Sequence, residues 1–175
     1  MQRWRVPLGF ACALLFFYFA RPTFWTLFIG AIVAAPGLLL RAWASGHLKK
    51  NEALATTGPY AYTRNPLYLG SFLIGLGFTI AAGRIFLSLI FIVMILGIYL
   101  PVMRVESQTL SELFGKKYSR YAAEIPLLLP RLSPYRRQDD KKFNRDLYFR
   151  YREYRASSGA LIAWTLLVLK AIFFK

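Results

Sequence analysis

Between residues 58 and 70 the chain reads GPYAYTRNPLYLG, and several of these residues could do chemistry together. Arg64 is a permanent cation whose planar guanidinium suits a carboxylate or a phosphate. Pro66 disfavours helix at Asn65 and suits the first turn of a helix that follows, so a helix mouth with free backbone N–H groups is expected there. Such a mouth carries partial positive charge, and an anionic group could bind at it. Tyr60, Tyr62, Arg64 and Asn65 would then line a cavity, because irregular polar backbone at a membrane edge needs protein or water around it. The alternative is that Arg64 anchors the helix to lipid phosphates. Metal chemistry is not indicated: His47 is the single histidine and Cys12 the single cysteine, which leaves no intramolecular disulfide and no cysteine or polyhistidine cluster. Cys12 reads as a small apolar helix residue.

The elements that must position these groups are set by composition. Hydrophobic residues make up 57% of the 175, yet the net charge is +15, so the apolar and basic residues must be segregated along the chain. Apolar runs at 6–20, 22–40, 66–83, 85–103 and 156–174 approach the roughly 20 residues that cross a hydrocarbon core. An all-α integral membrane bundle of about five transmembrane helices with cytoplasmic interfacial helices is expected. The expected organisation is an N-terminal transmembrane hairpin over 1–40, a core over 41–134, and a basic helix with a C-terminal span over 135–175. The first run is short, but only Arg21-Pro22 follows it, which reads as a span rather than a cleaved signal peptide. In the last run Lys170 is expected to snorkel to the interface.

A cytoplasmic N-terminus places 19 of the 23 Lys and Arg on the inner side, the asymmetry of the positive-inside tendency. The polar chemistry is therefore expected to face the cytoplasm across a bacterial-type inner membrane. In ESQTLSELFGKKYSRY, residues Leu110, Leu113, Phe114, Tyr118 and Tyr121 fall on one helical face, with Glu112, Lys116, Lys117 and Arg120 opposite. This predicts one amphipathic helix against the headgroups. A second polar helix is expected over about 135–155, its stripe formed by Phe143, Leu147, Tyr151 and Tyr154. Its basic side suits anionic lipid; no nucleic-acid recognition motif accompanies the charge.

GPYAYTRNPLYLG, ESQTLSELFGKKYSRY and IPLLLPR, in this order and each at a membrane edge, resemble the isoprenylcysteine carboxyl methyltransferase and phospholipid methyltransferase group of integral membrane enzymes. The resemblance covers about 41–131. It implies S-adenosylmethionine as methyl donor, bound between cytoplasmic helix ends, and a membrane-embedded acceptor entering from lipid. By position it carries cofactor binding to Gly58, Pro59, Tyr60, Arg64, Pro66, Tyr68 and Glu106. His47 stands at a polar cofactor-side position, and Gly75 and Gly77 look like a glycine pair that lets cofactor approach the helix backbone. Arg64, Asn65 and Glu106 are the implied catalytic residues. Asn65 stands where the isoprenylcysteine enzymes commonly have histidine, and Ser107 replaces the second glutamate of the family's acidic pair.

Methyl transfer from a sulfonium is an in-line displacement in which charge disperses, so positioning in a site with little water assists it. A carboxylate acceptor needs no base; Arg64 would orient it or hold the carboxylate of the cofactor. An amine or thiol acceptor must lose a proton, and Glu106 is the carboxylate placed to take it; ribose binding and an ion pair with Arg104 are its other readings. A prenylated cysteine, a phospholipid amine, a quinone-like lipid and a small thiol all stay open as acceptors. A nicotinamide-dependent membrane reductase and a catalytically silent membrane scaffold are the competing classes.

Overall fold

A computed structural model describes residues 14–50, 52–135 and 142–173. Most of the first expected span, Cys12 and residues 136–141 lie outside the described residues; 14–19 is helical. Then come α1 (Phe24–Ser45), a 3₁₀ turn (Gly58–Ala61), α2 (Pro66–Ala81), α3 (Ile85–Phe114), α4 (Lys116–Glu124), α5 (Arg145–Arg150) and α6 (Tyr154–Phe173). No strand occurs among the described residues. Helices α1, α3 and α6 are long and apolar enough to cross a membrane, and α2 is a shorter apolar helix of 16 residues. Large side chains such as Ile85, Val93 and Leu161 are exposed along them; in a membrane bundle such surfaces meet lipid.

The centre of the bundle is an antiparallel pair, α1 against α2, closed by a seam of small residues. A Cβ built on Gly30 would lie 2.4 Å from the Gly77 carbonyl oxygen, and one on Gly37 would lie 2.6 Å from that of Gly70. Ala34 and Ala81 extend the seam. Without a hydrophobic driving force inside lipid, such close backbone approach is what holds helices together. At one end a capping box of Thr23 and Thr26 starts α1. Arg21 N–H donates to the Ala82 carbonyl (2.7 Å), and Gly83 turns with φ +66° in contact with Arg21. Helix α6 packs there through Leu167, which joins Ala20, Ala81, Ala82 and Leu87, and through Trp164 edge-on to Phe78 at 5.1 Å.

Lys170 lies near one end of α6, where its ammonium donates to the carbonyls of Phe17 and Tyr18 and so caps the helical segment 14–19. Other expectations about these elements change. The fourth apolar run and the start of the amphipathic stretch share one helix, because α3 continues past 103 to Phe114. The amphipathic stretch after it is two helices rather than one, since Gly115 adopts φ +50°, ψ −126°, a conformation side chains oppose, and α4 restarts beyond it. Side-chain periodicity runs through this break, which is why the pattern alone does not reveal it. Among the described residues of the second polar helix, the helical part before Arg152 is α5; Arg152, at φ +53°, then turns the chain into α6.

Candidate functional site

The end of the bundle opposite Gly83 collects the polar groups. The GPYAYTRN loop is shaped by Gly58, whose φ is +59° and whose missing Cβ leaves room for the His47 ring, 2.7 Å from where that atom would stand. Pro59 is fully buried behind it. The IPLLLPR segment then binds the loop like a strap. Arg64 N–H donates to Pro126 O (3.0 Å), Arg131 N–H to Tyr62 O (3.0 Å) and Tyr135 N–H to Ala61 O (2.8 Å). The Thr63 hydroxyl donates to Leu128 O (2.9 Å) and the Asn65 amide to Leu127 O (2.9 Å). Two blocks separated by sixty residues thus satisfy each other's backbone, as buried irregular chain requires. Helix α4 closes the far side. Tyr118, Tyr121 and Ile125 are buried against Leu54, Leu110, Phe114 and Tyr135, and the Tyr121 hydroxyl donates to Tyr60 O at 2.7 Å.

These elements enclose a cavity of about 380 Å³, within the range of small-molecule sites. Its wall carries four cations, Arg41, Lys49, Lys50 and Arg64, and the carboxylate of Glu106. Tyr60, Tyr68, Tyr99, Tyr118 and Tyr121 supply aromatic surface. Arg64 is the most telling of them. Nη1 reaches only the Tyr118 hydroxyl, at 3.5 Å, and the Nε–H is buried without a hydrogen-bond partner. No carboxylate pairs with Arg64 among the described residues. A buried donor on a cation costs free energy until an acceptor meets it, so this wall suits an anionic group. Burial pushes the Tyr60 phenol above its ordinary range, with Tyr121 and Glu106 adding to the effect. Tyr121 is raised by burial too, against the pull of the Arg64 charge. Both are neutral donors at physiological pH.

The structure brings together Tyr60, Arg64, Asn65, Pro66, Tyr68 and Glu106 on one wall. Asn65 has its amide committed to the strap. Glu106 is exposed, and no described residue hydrogen-bonds its carboxylate. Gly58 and Pro59 shape the loop from behind. His47 lies beside the cavity, in a second hollow of about 290 Å³ with Lys49, Lys142 and Asn144; its Nδ1–H donates to Trp43 O at 3.0 Å. Gly75 and Gly77 are placed elsewhere. A Cβ on Gly75 would meet the Phe91 ring at 2.2 Å, and one on Gly77 the Gly30 carbonyl at 2.5 Å, so both serve helix contacts.

Arg41, Lys49, Lys50, Ser71 and Tyr99 are wall residues that sequence reasoning does not single out. Arg41 and the lysines were legible only as topology signals, since no spacing links residue 41 to residue 71. Tyr99 ends a π-helical turn, Ile95–Tyr99. Pro101 has no N–H to give to the Gly97 carbonyl, and a turn left short of a bond this way is where a helix departs from α geometry. Tyr99 meets Tyr68 edge-on at 5.3 Å.

A sequence profile described as phospholipid methyltransferase matches residues 4–117. The chain belongs to the phospholipid methyltransferase family. Among curated proteins, the chain is 32% identical over 143 residues to the cobalt-zinc-cadmium resistance protein CzcN of Cupriavidus metallidurans, covering 76% of itself and 64% of the relative. It is 36% identical over 117 residues to the nickel-cobalt-cadmium resistance protein NccN of Alcaligenes xylosoxydans xylosoxydans, covering 62% and 50%. It is 31% identical over 81 residues to the protein-S-isoprenylcysteine O-methyltransferase of Schizosaccharomyces pombe, covering 46% and 34%. The chain thus spans between about a third and two thirds of the length of these relatives. No solved structure matches it. The phospholipid methyltransferase match ends within α4, so the strap, α5 and α6 lie beyond it.

Proposed function

We propose that this membrane protein transfers a methyl group from S-adenosylmethionine to a lipid-like acceptor, such as a phospholipid amine or an isoprenylcysteine carboxylate, in the cavity walled by Arg64 and Glu106. The observation that carries the reading is the buried, unpartnered Arg64 Nε–H in a cationic cavity of a chain from a methyltransferase family. S-adenosylmethionine supplies a methyl group on a sulfonium, whose transfer disperses charge and is favoured where little water intervenes. The chain's own groups suit that setting. Arg64 meets a carboxylate, of the cofactor or of the acceptor, with a charge-assisted hydrogen bond. Tyr60 and Tyr121, held neutral, keep the cavity floor free of negative charge. The strap of 125–135 keeps bulk water from the loop backbone by saturating it. Glu106, on the cavity wall, accepts hydrogen bonds from ribose hydroxyls or takes the proton that an amine or thiol acceptor sheds. The charge distribution supports a cytoplasm-facing cavity.

Calorimetry on detergent-purified protein tests this reading. S-adenosylhomocysteine, the stable product of the donor, is expected to bind the wild type and to bind Arg64→Ala at least about tenfold more weakly, as loss of a charged hydrogen bond predicts. Wild-type protein that takes up neither donor nor product removes the reading. Mass spectrometry of lipids gaining a methyl group in membranes containing the protein then identifies the acceptor.

A further inference from the structure

The Arg41 guanidinium is held from three directions. Its stem crosses α2 over Gly70, where an added Cβ would stand 2.6 Å from Arg41 Cγ. Nη1 donates to the Ser71 hydroxyl (2.5 Å) and to Leu67 O (3.4 Å), and the Ser71 hydroxyl in turn donates to Leu67 O (2.9 Å). Nε donates to Glu153 Oε1 at 2.5 Å. Glu153 is 8% exposed, and a carboxylate so buried is retained only where a cation meets it. Arg41 lines the cavity and Glu153 does not. The Nη2 edge of Arg41 has no hydrogen-bond partner among the described residues.

Glu153 is delivered by a segment outside the family match, and that segment grips the cavity loop repeatedly. Asn144 N–H donates to Gly46 O (3.0 Å), the Tyr151 hydroxyl accepts from Lys50 N–H (3.0 Å), and Arg150 pairs with Glu52 at 3.4 Å. Arg152 then takes φ +53°, a left-handed conformation that a non-glycine residue adopts at a cost, and this turn brings Glu153 under Arg41.

We propose that Glu153 is a positioning residue: it fixes Arg41 so that the free Nη2 edge grips an anionic group in the cavity, either the carboxylate at the amino-acid end of the cofactor or a lipid phosphate. The C-terminal segment is on this account a working part of the binding site. A free arginine samples many rotamers, and one held at Nε and Nη1 loses little more on meeting its ligand. The cofactor half of the inference rests on the methyltransferase reading; the phosphate half does not.

The test is binding to full-length protein in detergent, with melting temperature as a fold control. One arm uses S-adenosylhomocysteine and, as a probe lacking the carboxylate, methylthioadenosine; the other uses short-chain phosphatidic acid. Glu153→Gln keeps an acceptor oxygen and loses the charge. It is expected to weaken one anionic probe about three- to tenfold while methylthioadenosine binding stays unchanged, and Glu153→Asp is expected to restore part of the loss. In an Arg41→Lys background, which lacks Nε, the Glu153→Gln loss should vanish, because the effect travels through that atom. A loss confined to S-adenosylhomocysteine assigns Arg41 to the cofactor; a loss confined to phosphatidic acid assigns it to lipid. If the wild type binds either anion and Glu153→Gln lowers only the melting temperature, the inference fails and the methyltransferase reading stands. If the wild type binds phosphatidic acid alone and Glu153→Gln weakens it, the methyltransferase reading fails and the inference stands. A wild type that binds neither anion overturns both.

Discussion

Tyr121 shows how much one hydroxyl does in this site. It donates to the Tyr60 carbonyl at 2.7 Å in a buried setting, joining α4 to the loop that carries Arg64. Tyr121→Phe leaves that carbonyl unsatisfied and is expected to cost about 1–3 kcal/mol, read as a lower unfolding midpoint in denaturant. The two raised phenols also set an alkaline limit. Unfolded tyrosine ionises near pH 10, whereas folded Tyr60 and Tyr121 hold their protons to higher pH. Above about pH 10 the unfolded chain binds fewer protons, so stability is full below that pH and falls as pH rises further. Tyr60→Phe and Tyr121→Phe should each flatten the fall in melting temperature from about pH 9 to about pH 11, around the ordinary tyrosine value of about 10. At this scale the sequence shows which residues matter more readily than what each one does. Arg64, Tyr60 and Glu106 stand out by type and position, while the commitment of Asn65 to a carbonyl at 127 depends on a long-range fold that local spacing does not encode.

Among the helices, the glycines divide by what faces them. Gly77 abuts a backbone carbonyl that cannot move without parting α1 from α2, whereas Gly75 abuts the end of a Phe91 side chain that can rotate. Gly77→Ala is therefore expected to destabilise by about 1–3 kcal/mol, the ordinary cost of overpacking, and Gly75→Ala by less. Thermal unfolding of the two variants side by side decides it. Helix existence was legible throughout the described spans because long apolar runs leave few alternatives. Helix ends were less so. Ser111 through Tyr121 keeps its apolar period across Gly115, and only the glycine's left-handed backbone reveals that two helices meet there. Lys170 was legible as an interfacial cation, but its partners lie over 150 positions away, at the carbonyls of Phe17 and Tyr18.

Taken whole, the molecule separates its two ends. Arg21, Arg84 and Lys170 lie with the short Gly83 turn, while the cavity, the strap, α4 and α5 share the other end. If the cavity end faces the cytoplasm, a cysteine at Arg84 in a Cys12→Ser background should react with an impermeant maleimide applied outside intact cells. A cysteine at Arg120 should react only after the membrane is opened. The reverse pattern would invert the orientation. Helix α2 adds a matter of depth. Its 16 residues rise about 24 Å at 1.5 Å each, against a hydrocarbon slab of about 30 Å. With its Gly83 end level with one boundary, its Pro66 end stops about 6 Å below the other, so the arginine-lined mouth is sunk among the upper acyl carbons. On the methyltransferase reading, a two-tailed lipid acceptor would reach it by sliding sideways within its own leaflet, never lifting its chains into water.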